Sequence, residues 1–158
     1  MVSGLKLFDL NGKTTLITGS SQGIGYALAK GLAGAGSDII LNGRNAQKLK
    51  QSAEAINTKQ NIFQLCFDVT NYEQTKRSVD KFEKDIKPID ILINNAGMQF
   101  RTPLEDFPPK MFEELLKTNI SSVFNVSQAV VKYMRGSCQK SWSRRNNSYR
   151  YFYKCSFV

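Results

Sequence analysis

The chain has 158 residues, 41% apolar and 22% charged, with 22 Lys and Arg against 13 Asp and Glu and a net charge of +9. That composition fits one globular domain and excludes a collagen-like or largely disordered chain. With no histidine and only Cys66, Cys138 and Cys155, it also excludes Ser-His-Asp and Cys-His catalysis, His-ligated zinc and a Cys-x-x-Cys metal site, so no metal is expected.

Residues 13–18 (KTTLIT) are a β-prone run that ends in a glycine turn. Residues 24–35 then take helix spacing, with Ile24, Ala27, Leu28, Leu32 and Ala35 on one face. A second apolar run covers 38–42, and a helix is predicted over 46–59 with Leu49, Ala53 and Ile56 aligned. Residues 62–67 are a third strand. Thr70 and Glu73 have the spacing of a capping box, which opens a helix to about Ile86. Pro88 ends it, and 89–93 (IDILI) form a fourth strand, apolar throughout as a strand covered on both faces should be.

After a loop with Pro103, Pro108 and Pro109, one long helix is predicted over 110–134, with Leu115, Leu116, Ile120, Val123, Val126, Val130 and Met134 recurring at helix spacing. Strands alternating with helices give parallel pairing and right-handed crossovers. The expected fold class is α/β, a doubly wound, Rossmann-like parallel sheet, incomplete, with about four strands.

Residues 135–158 break this rhythm. Residues 1–134 hold 16 Lys and Arg against 13 Asp and Glu, or +3; residues 135–158 hold six and none, or +6. The expected division is therefore a nucleotide-binding portion, 1–134, and a poorly ordered basic tail, 135–158. No apolar run approaches the roughly 18 residues of a spanning helix, and residues 1–10 lack an apolar signal core. The expected setting is cytoplasmic, with no membrane partner.

Thr18-Gly19-Ser20-Ser21-Gln22-Gly23-Ile24-Gly25 lies where the first strand feeds the first helix. A strand–turn–helix aims backbone N–H groups and the positive helix end at one point, which suits a phosphate. Gly19 permits the tight turn, Gly23 lets a pyrophosphate approach, and Gly25 lets the helix pack closely.

This Gly-x-x-x-Gly-x-Gly spacing resembles the short-chain dehydrogenase/reductase family. So do Asp68-Val69 after the third strand, Asn94-Asn95-Ala96-Gly97 after the fourth, and Asn119 in the long helix. The resemblance covers about residues 7–134. It implies a cofactor site formed by Gly19, Ser20, Gly23, Ile24, Gly25, Asp68, Val69, Asn94, Ala96 and Gly97, with Asn119 as one member of the catalytic set. Residues 94–108 resemble the members that act at the 5-position of gluconate, which implies a sugar-acid substrate, and Arg101 could clamp its carboxylate. The family also implies a homo-oligomer, with the long helix in the dimer contact.

Asn42-Gly43-Arg44 ends the second strand, where the adenine ribose should lie. An acid there would bond the 2′-hydroxyl of NAD, whereas Arg44 favours a 2′-phosphate. Asn42 replaces the expected acid, and Ser20 adds a hydroxyl, so NADP is expected over NAD.

The family's chemistry also needs a serine at the end of a fifth strand and a Tyr-x-x-x-Lys on the next helix. Neither is placed in 135–158: a lysine at 154 needs its tyrosine at 150, which is Arg. The fourth strand is then expected to be an unpaired apolar edge. A frameshifted or truncated gene is the expected origin of this stretch, and the expected chain is inactive. A non-catalytic nucleotide-binding module is the rival reading. Nucleic acid is not the expected partner, because no folded platform presents the basic aromatic stretch.

Overall fold

The structure, a computed structural model, describes residues 8–141 and 151–154. The chain runs β1 (Thr14–Ile17), α1 (Gly23–Gly34), β2 (Asp38–Gly43), α2 (Ala46–Glu54), β3 (Ile62–Cys66), α3 (Tyr72–Asp85) and β4 (Ile91–Asn94). A 3-10 turn, Leu104–Asp106, leads to α4 (Pro109–Leu116), a π turn (Lys117–Ser121), α5 (Ser122–Ser141) and β5 (Tyr151–Lys154). The strands form one parallel sheet in the order β3-β2-β1-β4-β5.

Period-two alternation splits the apolar strand residues between two faces. Leu16, Ile40 and Leu92 pack against Val79 and Phe82 of α3 and Val126, Ala129 and Val130 of α5. Ile17, Ile39, Leu41, Ile91 and Ile93 pack on the other side with Ala29 and Ala33 of α1 and Leu49 of α2. Strands covered on both sides explain the unbroken apolar runs.

Four features differ from the expectations or add to them. First, β4 is not an unpaired edge: Ile91, Leu92, Ile93 and Asn94 pair with Tyr151, Phe152, Tyr153 and Lys154. The aromatic run is β-prone, and an open apolar edge offers it a ladder of N–H and C=O groups. The rest of the tail, 142–150 and 155–158, lies outside the described residues.

Second, the long helix is two helices joined by a π turn, and α5 continues to Ser141. Its outer side carries Phe112, Leu116, Ile120 and Phe124, all exposed, so Leu116 and Ile120 face away from the core. Third, α1 turns Gly25, Ala29 and Ala33 to the sheet. Small residues at i, i+4 and i+8 allow the closest helix–sheet approach. Leu28 and Leu32, half-buried against that core, line with Ile24, Ala27 and Gly31 an apolar groove of about 360 Å³. Fourth, α3 is capped by Asn71, whose side chain accepts from Gln74 N. Thr70 is captured by Asp68, whose Oδ1 accepts from both its N–H and its hydroxyl at 2.8 Å.

Candidate functional site

The C-terminal ends of β1, β2 and β4 meet at the glycine turn. Gly19 and Gly23 hold φ of +62° and +61°, a region that L side chains rarely enter. A Cβ on Gly19 would stand 2.9 Å from Ala96 Cα, and one on Gly25 would stand 2.4 Å from Asn95 Nδ2. Both glycines are therefore required by close contact. Gly23 differs: nothing lies within 4 Å of its absent Cβ, so its backbone is bare toward open space.

α1 starts at that bare point. Its N-cap, Gln22, makes no side-chain capping bond, and no acid sits in the first turn. The leading N–H groups and the positive helix end are thus left to a ligand, which suits a pyrophosphate. Ile24, half-exposed, flanks the mouth.

The end of β4 is tied to this turn through Thr18. Its Oγ1 accepts from Asn95 N and Ala96 N, both at 3.0 Å. Asn95 Nδ2 donates back to the carbonyls of Thr18 and Gly19 at 2.9 and 3.1 Å. Asn94 is buried, and its Nδ2 donates to Ser127 Oγ of α5, away from the turn. Gly97 and Met98 come next. Asn119 Oδ1 accepts from Met98 N and its Nδ2 donates to Met98 O, each at 2.9 Å. Asn119 lies inside the π turn, so the irregularity and this clamp coincide.

At the β2 end the structure redistributes the expected roles. Asn42 is buried: its Oδ1 accepts from Gly19 N, and its Nδ2 donates to the carbonyls of Leu65 and Phe67. It fastens three elements and does not face a ribose. Ser20 is buried too; its hydroxyl donates to Ile17 O at 2.7 Å and accepts from Asn42 N at 3.0 Å. No hydroxyl is left there for a ligand.

The position open to the turn is Gly43. A Cβ there would lie 3.4 Å from Ser21 Oγ and 3.5 Å from Leu49 Cδ2. Arg44 follows, its side chain 81% exposed and 4.0 Å from Asp68 Oδ2. Val69 beside it is buried in the core. Cys66 Sγ lies 3.5 Å from Arg44 O.

Arg101 is exposed on the loop after Met98. With the Gln99 amide turned so that its oxygen faces the guanidinium, Arg101 Nε and Nη2 donate to it at 3.2 and 2.9 Å. Sequence reasoning missed Thr18, Ser21, Gly43, Asn95 and Met98 as parts of the site. Their common signal is adjacency to residues already singled out. Tyr-x-x-x-Lys spacing occurs at Tyr26 and Lys30, on one face of α1 with Lys30 Nζ 5.9 Å from the ring centre, so spacing alone does not make that pair a site.

A depression of about 570 Å³, lined by Phe8, Asn11, Gly36 and Lys59 among others, lies at the opposite, N-terminal end of the strands. Among the described residues no group of three or more His, Cys, Asp or Glu could hold a metal ion. No helix there is long and apolar enough to cross a membrane.

Comparison with known proteins agrees with this geometry. A family model described as short chain dehydrogenase matches residues 13–142. Gluconate 5-dehydrogenase of Gluconobacter oxydans is 46% identical over 133 residues, covering 81% of this chain and 50% of that protein. 5-Keto-D-gluconate 5-reductase of Escherichia coli is 42% identical over 130 residues, covering 81% and 51%. The crystal structure of a gluconate 5-dehydrogenase from Burkholderia cenocepacia, in complex with NADP and tartrate, superposes with a TM-score of 0.81 at 41% identity. That match covers 85% of this chain and 53% of the other. The chain thus spans about half the length of the curated relatives it matches.

Proposed function

The chain belongs to the short chain dehydrogenase family, and on that premise we propose that it carries the NADP(H)-binding part of an oxidoreductase acting on a sugar acid of the gluconate kind. The observation that carries this is the uncapped start of α1 beneath the bare backbone of Gly23. Backbone N–H groups of the turn would hold the pyrophosphate, and Arg44 with Ser21 would meet the 2′-phosphate. Asp68 and Val69 would border the adenine, and Ala96 and Gly97 the nicotinamide ribose. Bound NADP(H) would supply or accept the hydride.

Asn119 is the member of the catalytic set that this chain contributes. Its part is to fix the peptide groups of Met98, and so the floor next to the reacting atoms. Arg101, held by Gln99, would meet the substrate carboxylate. The outward stripe of Phe112, Leu116, Ile120 and Phe124 supports pairing with a second copy. A cytoplasmic setting goes with this reading.

The serine and the Tyr-x-x-x-Lys are not placed in 135–158, and we read the chain as a nucleotide binder without turnover. Titrating NADPH into the full chain, followed by its fluorescence, tests the first part; saturable binding is expected, and its absence overturns the reading. Incubation with NADPH and 5-ketogluconate tests the second part; sustained loss of NADPH absorbance would overturn inactivity.

A further inference from the structure

Ser52 belongs to none of the nucleotide motifs. Its Oγ stands 2.6 Å from Ser21 O and 2.8 Å from Lys48 O. The Lys48 contact is the usual back-bond of a helical serine. The Ser21 contact crosses 31 positions of chain and reaches the middle of the glycine turn. The start of that turn is fixed separately, by Asn42 at Gly19 and Ser20. Ser52 thus supplies what the middle receives from another element.

Two further observations give this bond a purpose. The Ser21 hydroxyl makes no hydrogen bond among the described residues, and it faces the space over Gly43. α2 also begins just after Arg44, capped by Asn45, whose Oδ1 accepts from Lys48 N at 2.9 Å. One helix therefore anchors Arg44 at its start and Ser21 two turns on.

We propose that Ser52 is a positioning residue for the phosphomonoester that distinguishes NADP from NAD. By holding the Ser21 carbonyl it aims the free Ser21 hydroxyl across Gly43, beside Arg44. The inference rests on the nucleotide reading above and names the device that sets its selectivity.

The test is fluorescence titration of the full chain with NADPH and with NADH. Ser52→Ala is expected to weaken NADPH about 3- to 10-fold, the value of one hydrogen bond, and to leave NADH within about 2-fold. Ser52→Thr keeps the hydroxyl and is expected to restore the preference. In a Ser21→Ala background, Ser52→Ala should change the NADPH-to-NADH ratio no further, since the group it aims is gone. Equal weakening of both nucleotides, or a full effect in the Ser21→Ala background, overturns the inference while leaving the nucleotide reading intact. A parent chain that binds neither nucleotide overturns both.

Discussion

Asn119 grips both peptide groups of Met98, accepting from its N–H and donating to its carbonyl at 2.9 Å each. The link joins a π turn to a loop 21 residues earlier in the chain. Replacing Asn119 with Ala leaves two partly buried backbone groups without partners, a cost of about 1–3 kcal/mol. Urea unfolding should show that loss, and tryptic cleavage at Arg101 should quicken as the loop is released. Unchanged cleavage would mean that the loop is held by something else.

Gly19 and Gly12 allow a paired comparison. Both have positive φ, +62° and +76°, but only Gly19 has a neighbour, Ala96, where a Cβ would go. Gly12→Ala is expected to cost the backbone term alone, about 1–2 kcal/mol. Gly19→Ala should cost more and should abolish nucleotide binding, because the turn must move off Ala96. Thermal unfolding of the two variants measures the difference; equal losses would remove Ala96 from the account.

Gly43, not Asn42, is the position at which an acid would face the nucleotide. Gly43→Asp places a carboxylate beside the Ser21 hydroxyl, where it would repel a 2′-phosphate and accept from a 2′-hydroxyl. The expected outcome is NADPH binding weakened by about 10-fold or more, with NADH gaining. Asn42→Asp should instead damage folding, since both Asn42 amide hydrogens are engaged by the carbonyls of Leu65 and Phe67.

Acid should destabilise the fold through Asp38. Burial alone would push its carboxyl up, but the Lys87 ammonium and the Asn61 backbone and side-chain N–H groups outweigh that and hold it below the usual carboxylate value. Asp80 is likewise lowered: burial acts upward, and Lys132 and Tyr133 outweigh it. That pair is more exposed and counts for less. A carboxyl lowered in the folded state stabilises fully above its unfolded pKa, and the contribution is lost as pH falls through the folded value. Urea midpoints should therefore hold down to about pH 5 and fall below about pH 4. Asp38→Asn should lower the plateau and flatten that limb; an unaltered limb would assign the acid sensitivity elsewhere.

The strands were legible because a doubly covered sheet demands unbroken apolar runs, and the glycine turn was legible because its φ values and close contacts admit no other residue. What the pattern hid has physical reasons as well. The helix break at Asn119 was masked because the apolar stripe from Leu115 to Val123 continues through it. The sheet-facing side of α1 is not the one apolar spacing marks, because Gly25, Ala29 and Ala33 are selected for smallness, while the more apolar Ile24 and Leu28 lie alongside. Asn42 and Ser20 carry polarity that a sequence reader directs at a ligand, yet their hydrogen bonds are met inside the fold. β5 was hidden because its partner edge, not its own pattern, selects it.

The Thr18 hydroxyl accepts its two hydrogen bonds from residues 77 and 78 positions later in the chain. During synthesis, then, β1, the turn and α1 leave the ribosome long before Asn95 and Ala96 exist to set them. Crossovers from β1 to β2 and from β2 to β3 are local and can close early, whereas the return of β4 to β1 is a long-range step that must wait for its loop entropy to be met. The first strand made thus waits for the fourth, and the cradle becomes rigid only when Asn95 arrives.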